Sequence, residues 1–246
     1  MNYSVITICF NSAATLKNTI ASVLAQTELP AEYIFVDGGS SDGTLEIIHQ
    51  SITSARGRLP IAFRLIAQKD AGGITGAWNL GLEAASGDLV FILNSDDSYR
   101  PNTAKRVLAQ FERSRGSGIV VGAGAYRQPG PAERSQIVQC RPWWILPFAM
   151  PIVHPACFVK RSVYSDIGPF DTAYRVAADY EFIYRARKAG VQFVVCDEVL
   201  VEVLTGGFSA RNRELARREL LAIGQRHSCC PGLAAVSYAL RRLTGR

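Results

Sequence analysis

No apolar run in this chain is long enough to cross a bilayer. The longest, residues 143–153, is broken by Pro147 and Pro151 and falls short of the roughly 20 residues that a spanning helix needs. The first apolar run, residues 3–10, has no basic segment before it and no small-residue cleavage site after it, so no secretory leader is expected. The six cysteines show no CxxC spacing, which argues against a structural zinc site. Cys9, Cys157 and Cys196 sit inside apolar, strand-like runs and are expected as buried free thiols in a reducing compartment. Internal repeats and low-complexity tracts are absent as well, which excludes solenoids and disordered tails of biased composition. The expected location is the cytoplasm, with or without peripheral contact to the cytoplasmic face of the membrane.

What remains has an ordinary globular composition. The 246 residues are 48% hydrophobic and 20% charged, enough for one sizeable domain or one domain with a small appendage. The formal net charge is +6, and arginines crowd the C-terminal part, from Arg211 and Arg213 through Arg217, Arg218 and Arg226 to Arg241, Arg242 and Arg246. This balance favours an anionic partner without choosing between nucleic acid, phospholipid and nucleotide phosphates.

The first hundred residues alternate strand and helix signals. Strands are predicted at residues 4–10, 33–36, 62–66 and 89–93, with helices at 13–26, from 43 to about 50, and at 74–85. Such alternation implies parallel strands joined by crossover helices. Ligands in these sheets bind beyond the carboxyl ends of the strands. The second strand ends at Asp37 and the fourth at Asn94-Ser95-Asp96-Asp97, so both acidic groups fall on one edge of the sheet. Residues 126–151 hold five prolines and the pair Trp143-Trp144, and read as a long loop with room for short strands or a helical turn. A strand at 157–159, a helix at 179–189, a strand at 192–196 and a basic helical tail from Arg211 follow.

Three constellations carry possible chemistry. Adjacent carboxylates at Asp96 and Asp97 repel each other unless something positive neutralises them. A divalent cation bridging to a diphosphate would do so, since magnesium and manganese take one or two carboxylates and complete their octahedra with phosphate and water. A turn with a helix cap is the plainer alternative. The loop Asp37-Gly38-Gly39-Ser40-Ser41-Asp42-Gly43-Thr44 has glycines that allow close backbone approach, a cap in Asp42 or Thr44, and a following helix N-terminus that favours an anion. It lacks the spacing of a dinucleotide fingerprint or a P-loop. Asp179, at the start of a helix, is either a charge favoured by the dipole or a carboxylate held as a general base.

Together these stretches resemble glycosyltransferase family 2. Val5 to Ser12 is similar to the family's first strand. Val36 to Thr44 is similar to its nucleotide loop. Asp70-Ala71-Gly72-Gly73-Ile74 with Asn79 and Gly81 resembles the donor-side helix, and Asn94-Ser95-Asp96-Asp97 the metal motif. His154-Pro155, Gly168-Pro169-Phe170-Asp171 and Ala178-Asp179-Tyr180 resemble the acceptor side. Asn94 stands in place of the first aspartate of the usual triplet, and Gly76 where relatives often carry an acid. The Gln-x-x-Arg-Trp motif of processive synthases is absent, so single addition is expected.

The resemblance implies an α/β fold of the GT-A type, a Rossmann-like, mostly parallel central sheet flanked by helices. Its donor half would cover residues 1–100, its acceptor half 101–210, and a basic helical tail 211–246. It implies an inverting, metal-dependent transferase working on a nucleotide diphosphate sugar, with UDP the default nucleotide and GDP or dTDP open. Asp179 would be the base. Asp97, supported by Asp96, would hold Mg2+ or Mn2+. Asp37, Asp70, Asn79 and Asp96 would meet the nucleotide sugar, and His154 and Tyr180 the acceptor. The acceptor would be a glycan or a lipid-linked glycan of bacterial type. Two other readings are a non-catalytic sugar-nucleotide or glycan-binding module on the same fold and a nucleic-acid binder. The latter lacks a recognisable binding module with base-stacking aromatics, so no nucleic acid is expected. The apolar segment Trp143-Trp144-Ile145-Leu146 with Phe148 and Met150 is either core or a surface that meets the bilayer beside the acceptor site.

Overall fold

The computed structural model describes residues 1–69, 72–128 and 134–227, together with positions 232, 235–236 and 238–239. The elements run β1 (Tyr3–Cys9), α1 (Leu16–Leu24), β2 (Glu32–Asp37), α2 (Thr44–Ala55), β3 (Ala62–Ala67), α3 (Gly73–Ala84) and β4 (Leu89–Ile92). They continue with β5 (Ser98–Tyr99), α4 (Thr103–Arg113), β6 (Ile119–Gln128), β7 (Arg134–Val138), β8 (Cys157–Lys160) and α5 (Arg161–Ile167). The last are α6 (Ala178–Lys188), β9 (Phe193–Leu204), α7 (Phe208–Arg211) and α8 (Arg213–His227).

The strands form one sheet in the order β3-β2-β1-β4-β8-β6-β9-β5, with β7 added beside β6. The donor half is parallel throughout: β1 pairs in parallel with β2 and β4, and β2 with β3. Beyond β4 the sheet is mixed. β8 runs antiparallel to both β4 and β6, while β6 and β9 are parallel. Strands buried on both faces read as continuous apolar runs, because helices cover each side. In β2 the alternation shows which layer each residue enters. Ile34 and Val36 join Trp78 of α3 on one face, and Tyr33 and Phe35 join Ile20 and Ile47 on the other. Helix α3 lies so close to β1 that a Cβ at Gly81 would come within 2.5 Å of Ile6. Packing therefore accounts for that glycine.

Within the long connection of residues 126–151, β6 runs to Gln128 and pairs with β7, and a 3-10 turn covers Trp143–Ile145, the short strands and helical turn that the sequence reading allowed. Two expectations change. β9 is far longer than residues 192–196, because its second half pairs with both β6 and β5. The C-terminal basic stretch is helical through His227, as expected, but it does not stand free. Ile223 of α8 is fully buried against the main core. Arg241, Arg242 and Arg246 lie outside the described residues, as do Cys229 and Cys230. Cys9, Cys157 and Cys196 are free and buried, and Cys140 is free and half-buried.

Candidate active site

Three loops meet at the carboxyl end of the parallel strands. The chain leaving β1 is tied to the loop after β2: Asn11 N–H donates to Ser40 Oγ at 2.9 Å, Ser41 N–H to Asn11 Oδ1 at 2.9 Å, and Ser12 N–H to Thr44 Oγ1 at 2.8 Å. Asp42 accepts from Ala13 N–H at 3.0 Å and from the Thr44 amide and hydroxyl, which holds its carboxyl below the usual range. The same β1 loop reaches the loop after β4 through Ser12 Oγ and Ser95 Oγ, 2.7 Å apart, and through Thr15 Oγ1 donating to Ser95 O at 2.8 Å. Gly39 and Gly43 have φ of +89° and +93°, left-handed values that side chains resist, and they let the β2 loop turn under this network.

Asp37 closes that turn. Its Oδ2 accepts from the Gly39 and Ser40 amides at 2.9 Å each, and its Oδ1 from Ser40 Oγ at 2.5 Å. At 3% exposure the carboxylate is a loop organiser in this structure. Phe10 beside it is 64% exposed, and a Cβ on Gly38 would touch its ring at 3.4 Å.

The two acidic residues after β4 differ sharply. Asp97 is 3% exposed, and both its oxygens are engaged: Oδ2 accepts from Asn94 Nδ2 at 3.1 Å and Oδ1 from Leu204 N–H at 3.2 Å. Burial, and then the neighbouring Asp96, push its pKa up to about 8. Asp96 is half-buried. Burial raises its pKa too, against its own backbone N–H and the exposed Arg211. A Cβ on Gly207 would lie 3.3 Å from Asp96 Oδ2, so the loop after β9 passes directly over this carboxylate. No cluster of three or more His, Cys, Asp or Glu side chains occurs among the described residues. The donor set still fits Mg2+ or Mn2+, which bind with one or two carboxylates when phosphate oxygens and water supply the rest.

On the acceptor side, Asp179 opens α6 and is partly exposed. Burial raises its pKa, opposed by His154 and by the Tyr180 N–H, which donates to Asp179 Oδ1 at 2.8 Å. His154 packs against the rings of Trp78 and Phe170, with centroids 4.9 and 6.1 Å away, and burial lowers its pKa against the pull of Asp179. The Trp78 indole N–H beside it is buried without a partner. Tyr126 of β6 links the halves: burial raises its hydroxyl pKa, and Asp97 and Asp179 both add to the rise. One side chain thus feels the carboxylates of both halves.

Two expected site residues make hydrogen bonds inside the protein. Asn79 spends both ends of its amide on one backbone unit: Nδ2 donates to Phe170 O at 2.9 Å and Oδ1 accepts from Phe170 N–H at 3.0 Å. It clips α3 to the segment before α6. Tyr180 is 2% exposed, and its hydroxyl donates to Leu146 O. It anchors the turn of residues 143–146. Asp70 lies outside the described residues. Sequence reasoning missed Phe10, Tyr126 and Gly207, and read Arg211 only as part of the basic tail. Only Phe10 carried a local signal, an aromatic residue directly after a buried strand at the ligand edge.

Residues 4–168 match the model of glycosyl transferase family 2, two thirds of the chain. The chain belongs to this family. The glycosyltransferase is 31% identical over 190 residues to a PGL/p-HBAD biosynthesis glycosyltransferase of Mycobacterium tuberculosis, covering 74% of this chain and 68% of that one. It is 30% identical to an uncharacterized glycosyltransferase of the same species, over 97% of this chain and 89% of the other. Among solved structures, Staphylococcus aureus TarS 1-349 in complex with UDP superposes with a TM-score of 0.68 at 18% identity, covering 99% of this chain and 72% of that one. The chain spans 41% of the longer TarS chain. A mannosyltransferase of Pyrobaculum calidifontis, in complex with GDP-Man and Mn2+, gives a TM-score of 0.69 at 17% identity, covering 97% and 73%. The enzyme is a glycosyltransferase with the GT-A fold.

Proposed function

We propose that this glycosyltransferase moves one sugar, with inversion, from a nucleotide diphosphate sugar to an acceptor hydroxyl. The observation that carries the reading is that Asp97, next to Asp96 after β4, and Asp179, in the first turn of α6, both act on the Tyr126 hydroxyl of β6. Asp179 takes the proton from the acceptor hydroxyl as its oxygen attacks the anomeric carbon opposite the leaving diphosphate. A carboxyl whose proton affinity is raised by burial is a stronger base than a solvated one. When bound, Mg2+ or Mn2+ supplies positive charge against the departing diphosphate. Asp96 would be its leading protein ligand, because both Asp97 oxygens already accept hydrogen bonds inside the protein. Asp97 then orients the strand end through its bonds to Asn94 and Leu204. Phe10 offers an aromatic face to the base, and Asp37 shapes the loop beneath it. His154 orients the acceptor.

UDP and GDP are both open as the nucleotide. TarS was solved with UDP-GlcNAc and the Pyrobaculum enzyme with GDP-Man. The acceptor proposed is a glycan or lipid-linked glycan in bacterial-type surface assembly, met at the cytoplasmic face. No helix among the described residues is long and apolar enough to span a membrane. Trp144, 72% exposed, supports peripheral contact, since indoles favour the membrane interface.

The deciding experiment is a panel of UDP-, GDP- and dTDP-sugars, each with Mn2+, Mg2+ or chelator. Released nucleotide diphosphate and the anomeric configuration of the product are read by NMR. Metal-dependent release with inversion is expected. Tight nucleotide binding with no release from any donor, in the presence of glycan acceptors, would instead identify a binding module.

A further inference from the structure

Helix α6 carries Asp179 in its first turn, yet Ala177 stands at its N-cap and has no side chain that can accept a hydrogen bond. An acceptor arrives from far along the chain. Glu219 of α8 takes the Arg175 N–H on Oε1 and the Val176 and Ala177 N–H groups on Oε2, each at 2.8 Å. The carboxylate is 7% exposed and has no ion pair among the described residues, so backbone dipoles alone meet its charge. Two further contacts hold the same approach: Thr75 Oγ1 donates to Tyr174 O at 2.7 Å, and Arg226 of α8 pairs with Asp171 at 3.0 Å. Without α8, three amides before α6 would lose their acceptor, and the start of the helix would have no fixed entry.

We infer that Glu219 is a positioning residue for Asp179. It fixes the backbone that leads into α6 and places a second negative charge behind the base. The inference rests on the reading of Asp179 as the base. The groups that act electrostatically on Asp179, or feel it, come from four other elements: His154 from the 3-10 turn before β8, Tyr126 from β6, Cys157 from β8 and Glu219 itself. His154 favours the ionised form of Asp179, whereas Glu219 favours the protonated form. Removing the charge of Glu219 while keeping its shape therefore moves the titration of Asp179 downward. Loss of a purely structural strut would act the other way, because a loosened first turn withdraws the Tyr180 N–H that favours the ionised Asp179.

The test uses the full chain labelled with 13C at aspartate carboxyls, with Asp179→Asn identifying the resonance. Glu219→Gln keeps the volume, removes the charge and replaces one accepting oxygen with a donor. The expected result is a lower titration midpoint for Asp179. Amide exchange across residues 171–182 should also be about tenfold faster, with exchange in β1 to β4 unchanged. Glu219→Asp keeps the charge but withdraws it by one methylene. It should speed exchange across 171–182 and leave the midpoint near that of wild type. If Glu219→Gln accelerates exchange everywhere, the aspartate variant carries the test alone, and wild-type exchange across 171–182 in that variant would overturn the inference. A wild-type midpoint in a folded Glu219→Gln protein, whatever its exchange, would overturn it as well. Full transfer by Asp179→Asn is a different failure: it removes the base reading and leaves the titration result intact.

Discussion

Replacing Asn79 separates a framework role from a donor-binding one. Its amide makes two hydrogen bonds to the backbone of Phe170, at 2.9 and 3.0 Å. Asn79→Ala removes both partners and leaves a backbone N–H and a carbonyl in a half-buried seam between α3 and the segment before α6. A lost hydrogen bond of this kind costs about 1 kcal/mol net, and more when the remaining group finds no water, so the destabilisation should be about 2–4 kcal/mol. With a urea m-value near 3 kcal/mol/M, the unfolding midpoint should fall by about 1 M. Asn79→Asp sharpens the test. An ionised carboxylate still accepts from the Phe170 N–H but faces the Phe170 carbonyl with no proton to donate, whereas the protonated acid can serve both. The folded protein thus raises the pKa of that new acid. Its stabilising contribution is present below the unfolded pKa and is lost as pH rises through the folded one. The difference in stability between wild type and Asn79→Asp should be small near pH 4 and larger at pH 8. Calorimetric affinity for UDP or GDP with Mn2+ should stay within about twofold for Asn79→Ala, because no donor contact is lost. Wild-type stability combined with about a tenfold loss of nucleotide affinity would refute the framework role and return Asn79 to the donor site.

Asp96→Ala should abolish metal-stimulated nucleotide release, while Asp97→Asn should retain part of it, because the amide can keep one of the two internal hydrogen bonds; equal loss in both would restore Asp97 as a ligand. Asp179→Asn should bind nucleotide normally and lose about 100-fold or more in turnover. Wild-type turnover should rise with pH and level off above the raised pKa of Asp179, since only the ionised carboxylate accepts a proton; a flat profile from pH 5 to 8 would move the base elsewhere. Trp144→Ser should weaken sedimentation with anionic vesicles at low salt and leave stability unchanged. Trp143→Ser should cost roughly 2–3 kcal/mol, because its ring packs on Phe193 at 4.5 Å and under the Arg187 guanidinium at 4.8 Å. A wild-type protein that ignores anionic vesicles at every salt concentration would argue for a soluble acceptor.

Local chemistry determined much of this protein. Apolar runs of strand length, alternating with helical periodicity, specified the parallel donor half to within a few residues. Strand ends at Asp37 and Asn94 placed the acidic groups on one edge, because in a parallel sheet all carboxyl ends point the same way. The glycine-rich turn after β2 was also legible, since its left-handed positions admit few other residues. The tertiary structure alone decided which polar side chains are free to meet a ligand. Asp96 and Asp97 are neighbours of the same type, yet only the pairing of the β4 end with Leu204 of β9 buries Asp97 and leaves Asp96 open. Asn79 and Tyr180 stand in motifs of the site but are consumed by the backbones of Phe170 and Leu146, partners distant in sequence. Tyr126 and Glu219 carry no local pattern at all. Their roles arise where β6 and α8 fold back onto α6, and a hydrogen bond or a charge acts through space, without regard to sequence separation.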